Sequence, residues 1–123
     1  MLIVNKKCYI FFSMNTEAGI CKTIESAFEL LGKKWTGQII HVLMDGDRHF
    51  CDLTRALPAL SDRMLSLRMR ELEEAGIVIR EVSDSAPVRV IYRLTPKGKA
   101  LKPMLDSISD WAYAWVDKPL GVG

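Results

Sequence analysis

An excess of charge of one sign is nearly absent: 17 lysines and arginines face 15 aspartates and glutamates, a formal net charge of +2. Total charge therefore does not mark a polyanion-binding protein. Cysteine is scarce, with Cys8, Cys21 and Cys51 only. An odd count without paired spacing excludes a disulfide framework and fits thiols in a reducing, cytoplasmic setting. No stretch approaches the ~18 apolar residues that a membrane span needs. The opening MLIVNKKCYIFFSM is apolar in two short pieces split by Lys6 and Lys7. A signal peptide carries its charge first and a continuous apolar core after it, so that reading is rejected. Residues 1–20 are read as an N-terminal arm: a strand, a disordered arm or a translated leader, since Met14 can itself begin a complete domain.

Signatures of catalysis are missing as well. There is no Gly-rich phosphate loop, no nucleophile elbow and no HExxH. Ser61, His49 and Asp52 belong to separate elements and make no triad. His41, His49 and Cys51 show no four-ligand spacing, and Cys51 falls in a short helix that must bury something. The chain is read as having no catalytic residues, no metal and no cofactor.

What is present is a chain of 123 residues, 49% hydrophobic and 26% charged, which describes one soluble globular domain with a real core, placed at residues 21–118. Charge is unevenly distributed. Between Arg80 and Lys102 six lysines and arginines stand against Glu81 and Asp84, whereas from Pro103 to Asp117 the only charges are Asp106, Asp110 and Asp117. A basic middle and an acidic end point to one face for a polyanion and another for a different partner.

Apolar residues at helical spacing (Ile24, Ala27, Phe28, Leu31) predict a helix over 23–31 that Gly32 stops. A second is expected from Trp35 to Met44, with Trp35, Ile39, Val42 and Leu43 inward and Asp45-Gly46 as its stop, and a short third near Cys51–Leu57, ended by Pro58. A fourth follows Ser61 as N-cap and ends at Gly76. The period then changes. IVIREV (77–82) and VRVIYRL (88–94) read as strands around a turn-like SDSAP. Thr95-Pro96 opens a last helix that runs to about Val116 and is kinked or interrupted at Pro103. The order is mainly α with a small β-hairpin, a helix-turn-helix followed by a wing.

On a helix at ~100° per residue, Leu65, Met69 and Leu72 of 61–75 form the buried stripe, while Arg63, Ser66, Leu67 and Arg70 face the opposite side. Arg68 lies at the boundary, its head within reach of solvent, an acidic side chain or a phosphate. This pattern alone fits a solvated face as well as a binding one. Its position decides: the helix is second across a tight turn, its N-terminal half faces outward with arginine and serine, and a basic hairpin follows. Such a half enters the DNA major groove, where arginine forks onto guanine and serine bonds a base or phosphate. Arg89 and Arg93 are read as holding the wing on the DNA backbone.

The stretches LLGKKWTGQIIHVLMDGDRHFCDL, LSDRMLSLRMRELEEAGIVIREV and PVRVIYRLTPKGKAL closely resemble the HxlR-type winged-helix regulators of bacteria, a MarR-like group. The resemblance runs from about Cys21 to Trp115. It rests on Gly-Lys-x-Trp, Arg-x-Arg-Glu-Leu-Glu and Val-x-Tyr-x-Leu-Thr-x-x-Gly in that order. It implies a homodimer on operator DNA, a recognition helix over Ser61–Ala75, a wing over Val82–Val90 and terminal helices at the subunit interface. Leu67 departs from the polar residue, such as Gln, that many relatives carry there; it contacts a thymine methyl or packs against a neighbour.

In the last helix Leu101, Leu105, Ile108, Ala112 and Trp115 share one stripe, widened by Met104 and Trp111. A domain this small has little core for all of them, so the stripe is read as a dimer interface. A twofold dimer places two reading helices roughly 34 Å apart on an inverted-repeat operator.

Cys21 immediately precedes the first helix, where the helix N-terminus and Lys22 favour a thiolate of lowered pKa, reactive when exposed. CKTIESAFELLGKKW resembles the family branch that senses quinones, diamide or hypochlorite through a cysteine at this place, which implies a redox-sensing role for Cys21. Some relatives pair that cysteine with one near the partner's C-terminus. None follows Cys51 here, which leaves alkylation, a mixed disulfide with a small thiol, or a bond between two copies of Cys21. The sequence is thus read as a DNA-binding transcriptional regulator, a repressor, whose operator binding responds to a quinone, an oxidant or another electrophile. Two alternatives share the fold: a regulator switched by a noncovalent ligand, with Trp111 and Trp115 as walls of a dimer cleft, and a winged-helix protein-interaction module.

Overall fold

Cys21 has extended backbone (φ −72°, ψ 124°) and accepts the first helical bond from the amide of Glu25, 3.0 Å away. It thereby caps α1 (Lys22–Leu31). The computed structural model describes residues 21–116, so the arm assigned to residues 1–20 lies outside the described residues. The chain divides into two compact units, 1–36 and 37–123. In the first, the stripe expected to turn inward is not covered: α1 has no buried residue, and Phe28 is 71% exposed. A Cβ at Gly32 would meet the Phe28 carbonyl oxygen at 2.6 Å, which explains glycine where α1 stops. Trp35, expected to begin the second helix, instead takes φ 79° in the turn before it, a conformation disfavoured for residues with a Cβ. Lys34 Nζ lies 5.6 Å from the centre of its ring, near enough for a cation–π attraction.

In the second unit α2 (Thr36–Met44), all but its first residue, buries Ile39, Ile40 and Leu43; Val42 is only half-buried. Gly46, with φ 147°, makes the turn after it. A two-residue strand that the sequence does not announce, β1 (Arg48–His49), leads into α3 (Phe50–Ala56). His49 and Asp52 cap α3 reciprocally, with the His49 amide donating to Asp52 Oδ2 at 3.0 Å. That bond, and then Arg55, holds the Asp52 carboxyl below its ordinary value. Leu53 is the residue that α3 buries, whereas Cys51 is exposed.

Next comes α4 (Asp62–Glu74), capped as expected by Ser61, whose Oγ accepts from the Met64 amide at 3.1 Å. Leu65, Met69 and Leu72 are buried. At the other end Gly76 (φ 78°) donates to Glu73 O at 3.1 Å, and Ile77 donates to Leu72 O at 2.9 Å. These are the two bonds of a Schellman termination.

The chain then forms β2 (Val78–Val82) and β3 (Val90–Leu94), an antiparallel pair in the register Val78–Leu94, Arg80–Tyr92, Val82–Val90. β1 pairs with the other edge of β3, giving the order β1-β3-β2. Thr95 caps α5 (Pro96–Lys99), and a separate α6 (Lys102–Trp115) follows. The last helix, expected to be kinked or interrupted at Pro103, is broken just before it, at Ala100–Leu101, so Pro103 falls in the first turn of α6, where its missing N–H removes no helical bond. Ile77, Val78, Tyr92, Leu94 and Leu105 complete the core begun by α2, α3 and α4.

Gly98 is the tightest point. A Cβ there would lie 2.4 Å from the Ile77 carbonyl oxygen and 3.0 Å from Leu94 Cδ2. Because the opposing atom is backbone, Gly98→Ala is expected to destabilise the protein by about 1–3 kcal/mol, in the range of other overpacking substitutions. Denaturant unfolding checks this; an unchanged midpoint would mean that α5 is not pressed against the start of β2.

Candidate nucleic-acid interface

The core stripe of α4 leaves its other side to solvent. Arg63 and Arg70 are exposed, Ser66 is half-buried and Leu67 is 39% exposed, which is where the helical phase places them. Leu57 to Ser61 make the turn from α3, tightened by a bond from the Leu60 amide to Leu57 O at 3.0 Å, with Leu60 buried beneath it. Of the three destinations open to Arg68, it takes the acidic side chain: its Nη1 lies 3.1 Å from Glu71 Oε1, one turn on.

Ion pairing divides the cations into two sets. Arg55 pairs with Asp52, Arg68 with Glu71 and Lys102 with Asp106; the Asp106 hydrogen bond raises the Lys102 pKa. Lys97 Nζ donates to Ala75 O at 2.7 Å, closing the end of α4. Arg63, Arg70, Arg80 and Arg89 have no side-chain hydrogen bond or ion pair among the described residues. Uncompensated guanidinium groups on one helix and the following wing are what a polyphosphate backbone requires.

Arg93, read from the sequence as a wing contact to DNA, is bidentate to Glu81 (Nη2–Oε1 2.9 Å, Nη1–Oε2 3.1 Å), and its Nε reaches Asp47 Oδ2 at 3.2 Å. All three faces of its planar fork are thus engaged, and its charge is matched by two carboxylates. It ties the turn before β1 to the wing. Arg89 sits at the wing end, where its amide donates to Ser83 Oγ at 2.9 Å and its carbonyl accepts from the Ser83 amide at 2.8 Å. Its backbone is fixed and its guanidinium is exposed.

Between α4 and the sheet lies a cleft of about 390 Å³, lined by Ser66, Met69, Arg70, Glu73, Arg80 and Tyr92. Arg80 is absent from the residues singled out by sequence. Its signal was the strand period: Val78 is buried, so Arg80, two residues on, shares its face and looks toward α4.

A winged helix-turn-helix with uncompensated arginines is common to many proteins, and comparison narrows it. The HxlR-like helix-turn-helix family model matches residues 30–119. The chain belongs to the HxlR-like family. It is similar to the HTH-type transcriptional regulator YodB of Bacillus subtilis (strain 168), 50% identical over 93 residues that cover 76% of this chain and 83% of YodB. The reduced form of YodB has the same fold, with a TM-score of 0.72 at 47% identity over 79% of this chain and 95% of that one. So does the reduced form of the redox regulator HypR, with a TM-score of 0.72 at 36% identity over 75% and 91%. This HxlR-like protein is a DNA-binding transcriptional regulator and not an enzyme.

The remaining predicted residues fall in two places. Cys21 stands at the N-cap of α1, as expected, but it is 3% exposed rather than open to solvent. On α6 the apolar stripe is split: Leu105 is buried, Leu101 and Ala112 are half-buried, and Ile108, Trp111 and Trp115 are exposed. Leu105 therefore serves the chain's own core. The apolar hollow beside α6, about 460 Å³, is lined by Val42, Leu57, Leu105 and Ile108 with Gln38 and His41. No described helix is long and apolar enough to cross a membrane.

The Arg93 assignment has a measurable consequence. Arg93 is 40% exposed, so Arg93→Ala is expected to destabilise the fold by no more than about 1 kcal/mol, and by less at high salt. The salt dependence of DNA binding should keep its slope, because no phosphate contact is lost. A shallower slope would return Arg93 to the DNA surface.

Proposed function

We propose that this HxlR-like regulator is a repressor that binds an inverted-repeat operator as a homodimer and releases it when Cys21 is modified. The observation that carries the DNA-reading part is the outward side of α4, where Arg63, Ser66 and Arg70 project from a helix whose opposite side is locked by Leu65, Met69 and Leu72. In this reading Arg63 and Arg70 fork onto guanine or phosphate, Ser66 bonds a base edge or phosphate, Ser61 caps the helix beside the backbone, and Leu67 packs on a thymine methyl. Arg89 holds the wing on the adjacent backbone.

Dimerisation is supported by what the single chain leaves uncovered. Trp111 is 60% and Trp115 is 67% exposed on α6, together with Ile108, and α1 exposes Ile24 and Phe28. Large aromatic side chains in that number belong in an interface. Trp111→Glu is therefore expected to halve the mass seen in sedimentation while leaving the fold intact, since nothing in the core depends on an exposed side chain. A variant that stays dimeric would remove α6 from the interface.

Redox control is supported by the place of Cys21 and by two relatives. YodB is known in reduced, diamide-treated and quinone-bound forms, and HypR in reduced and oxidised forms. The burial of Cys21 changes the mechanism expected from sequence. An adduct or disulfide on a thiol 3% exposed has no room unless the surrounding packing gives way, and that displacement is the signal. With Cys21→Ser, operator DNA should stay bound when a quinone or diamide is added, whereas the native chain lets go. Release by the variant would exclude Cys21 as the sensor.

A further inference from the structure

We infer that the cleft between α4 and β2 seats one phosphodiester group of the DNA backbone, held by Ser66, Arg70, Arg80 and Tyr92. This rests on the DNA-binding reading above and extends it to two residues, Arg80 and Tyr92, that the reading helix does not contain.

Three elements converge on the cleft. Ser66 and Arg70 are one turn apart on α4, and Arg80 stands opposite Tyr92 in the β2–β3 register. Tyr92 lies on the central strand of the sheet and is 7% exposed, yet its hydroxyl makes no hydrogen bond among the described residues. No buried polar side-chain atom among the described residues lacks a partner, so the hydroxyl is the part of Tyr92 that solvent reaches, and it is free to donate. Tyr92 lines the cleft, where a seated group can accept from it. Arg70 and Arg80 likewise lack any partner among the described residues, in contrast to Arg68 and Arg93 beside them, which are neutralised by carboxylates.

The charge of the lining selects the ligand. Two guanidinium groups against the single carboxylate of Glu73 leave one positive charge. That matches the monoanion of a phosphodiester. A phosphate monoester, nearly dianionic at neutral pH, would remain uncompensated beside Glu73. The contact carries no sequence information; it fixes how far α4 enters the groove relative to the wing.

The test is titration of the native protein, Arg70→Ala, Arg80→Ala and Tyr92→Phe with DNA from upstream of its own gene and with an unrelated duplex, at rising sodium chloride. Arg80→Ala should weaken binding by the same factor on both duplexes. Between about 50 and 200 mM salt it should lose about threefold less affinity than the native protein does, as expected for one phosphate contact fewer. Tyr92→Phe should weaken both complexes several-fold with an unchanged slope, since a neutral donor is removed. Millimolar inorganic phosphate at matched ionic strength should not displace the DNA; displacement would assign the cleft to free anions instead. An unchanged slope for Arg80→Ala, with a reduced slope for Arg70→Ala and unaltered melting of both, overturns the seat and leaves the DNA-binding reading standing. Absence of salt-dependent binding by the native protein overturns that reading itself.

Discussion

The peptide group of Ile77 is the junction on which the site depends. Its N–H closes the end of α4 on Leu72 O at 2.9 Å, and its carbonyl accepts the Thr95 amide at 2.9 Å and the Thr95 hydroxyl at 3.2 Å. Gly98 packs against that same carbonyl. One residue therefore sets the exit of the reading helix, the start of the first wing strand, the end of the second and the entry to the C-terminal helices. Thr95 adds a bond to the Gly76 carbonyl and caps α5 as well. Because these bonds are short-range and share atoms, α4 and the wing cannot move independently without breaking several together. That coupling is what lets a helix and a hairpin present their arginines in one fixed arrangement.

Given that rigid frame, the distribution of carboxylates decides which cations can act. Arg68 is engaged by Glu71 within α4, and Arg93 by Glu81 and Asp47, which ties the turn before β1 to β2 and β3. Arg63, Arg70, Arg80 and Arg89 keep their charge uncompensated within the described chain. A net charge of +2 thus conceals a local excess. For DNA affinity the relevant quantity is the number of phosphates that unpaired cations can neutralise, not the total charge.

Much of this was readable from the chain itself, for identifiable reasons. Ser61, Gly76 and Thr95 act through local backbone chemistry that a few neighbouring residues specify, and the helical phase of α4 follows from Leu65, Met69 and Leu72. What was not readable depends on distant partners. β1 is two residues long and exists only because β3 offers an edge to Arg48 and His49. Arg93 looks like any exposed strand arginine until Asp47, 46 positions earlier, is placed beside it. Arg80 was hidden because only the strand register puts it opposite Tyr92. The stripe of α1 has the right period for a core helix, but period reports an apolar face and not what covers it.

The uncovered faces of α1 and α6 and the burial of Cys21 bear on one another under the proposed mechanism. Cys21 caps α1, so anything that displaces its side chain acts on the first turn of a helix that has no buried residue. In the proposed dimer, a chemical event at a single sulfur is thereby converted into a change at a surface large enough to shift the spacing of two reading helices. The thiol need not approach the DNA for this. It needs only to be more easily modified in the geometry that does not bind the operator than in the one that does. For a reversible modification the converse holds by linkage: operator binding shifts the modification equilibrium of the thiol by the same factor as modification weakens the operator complex. Burial of the thiol fits such a switch, since an adduct on it forces the packing around it to move.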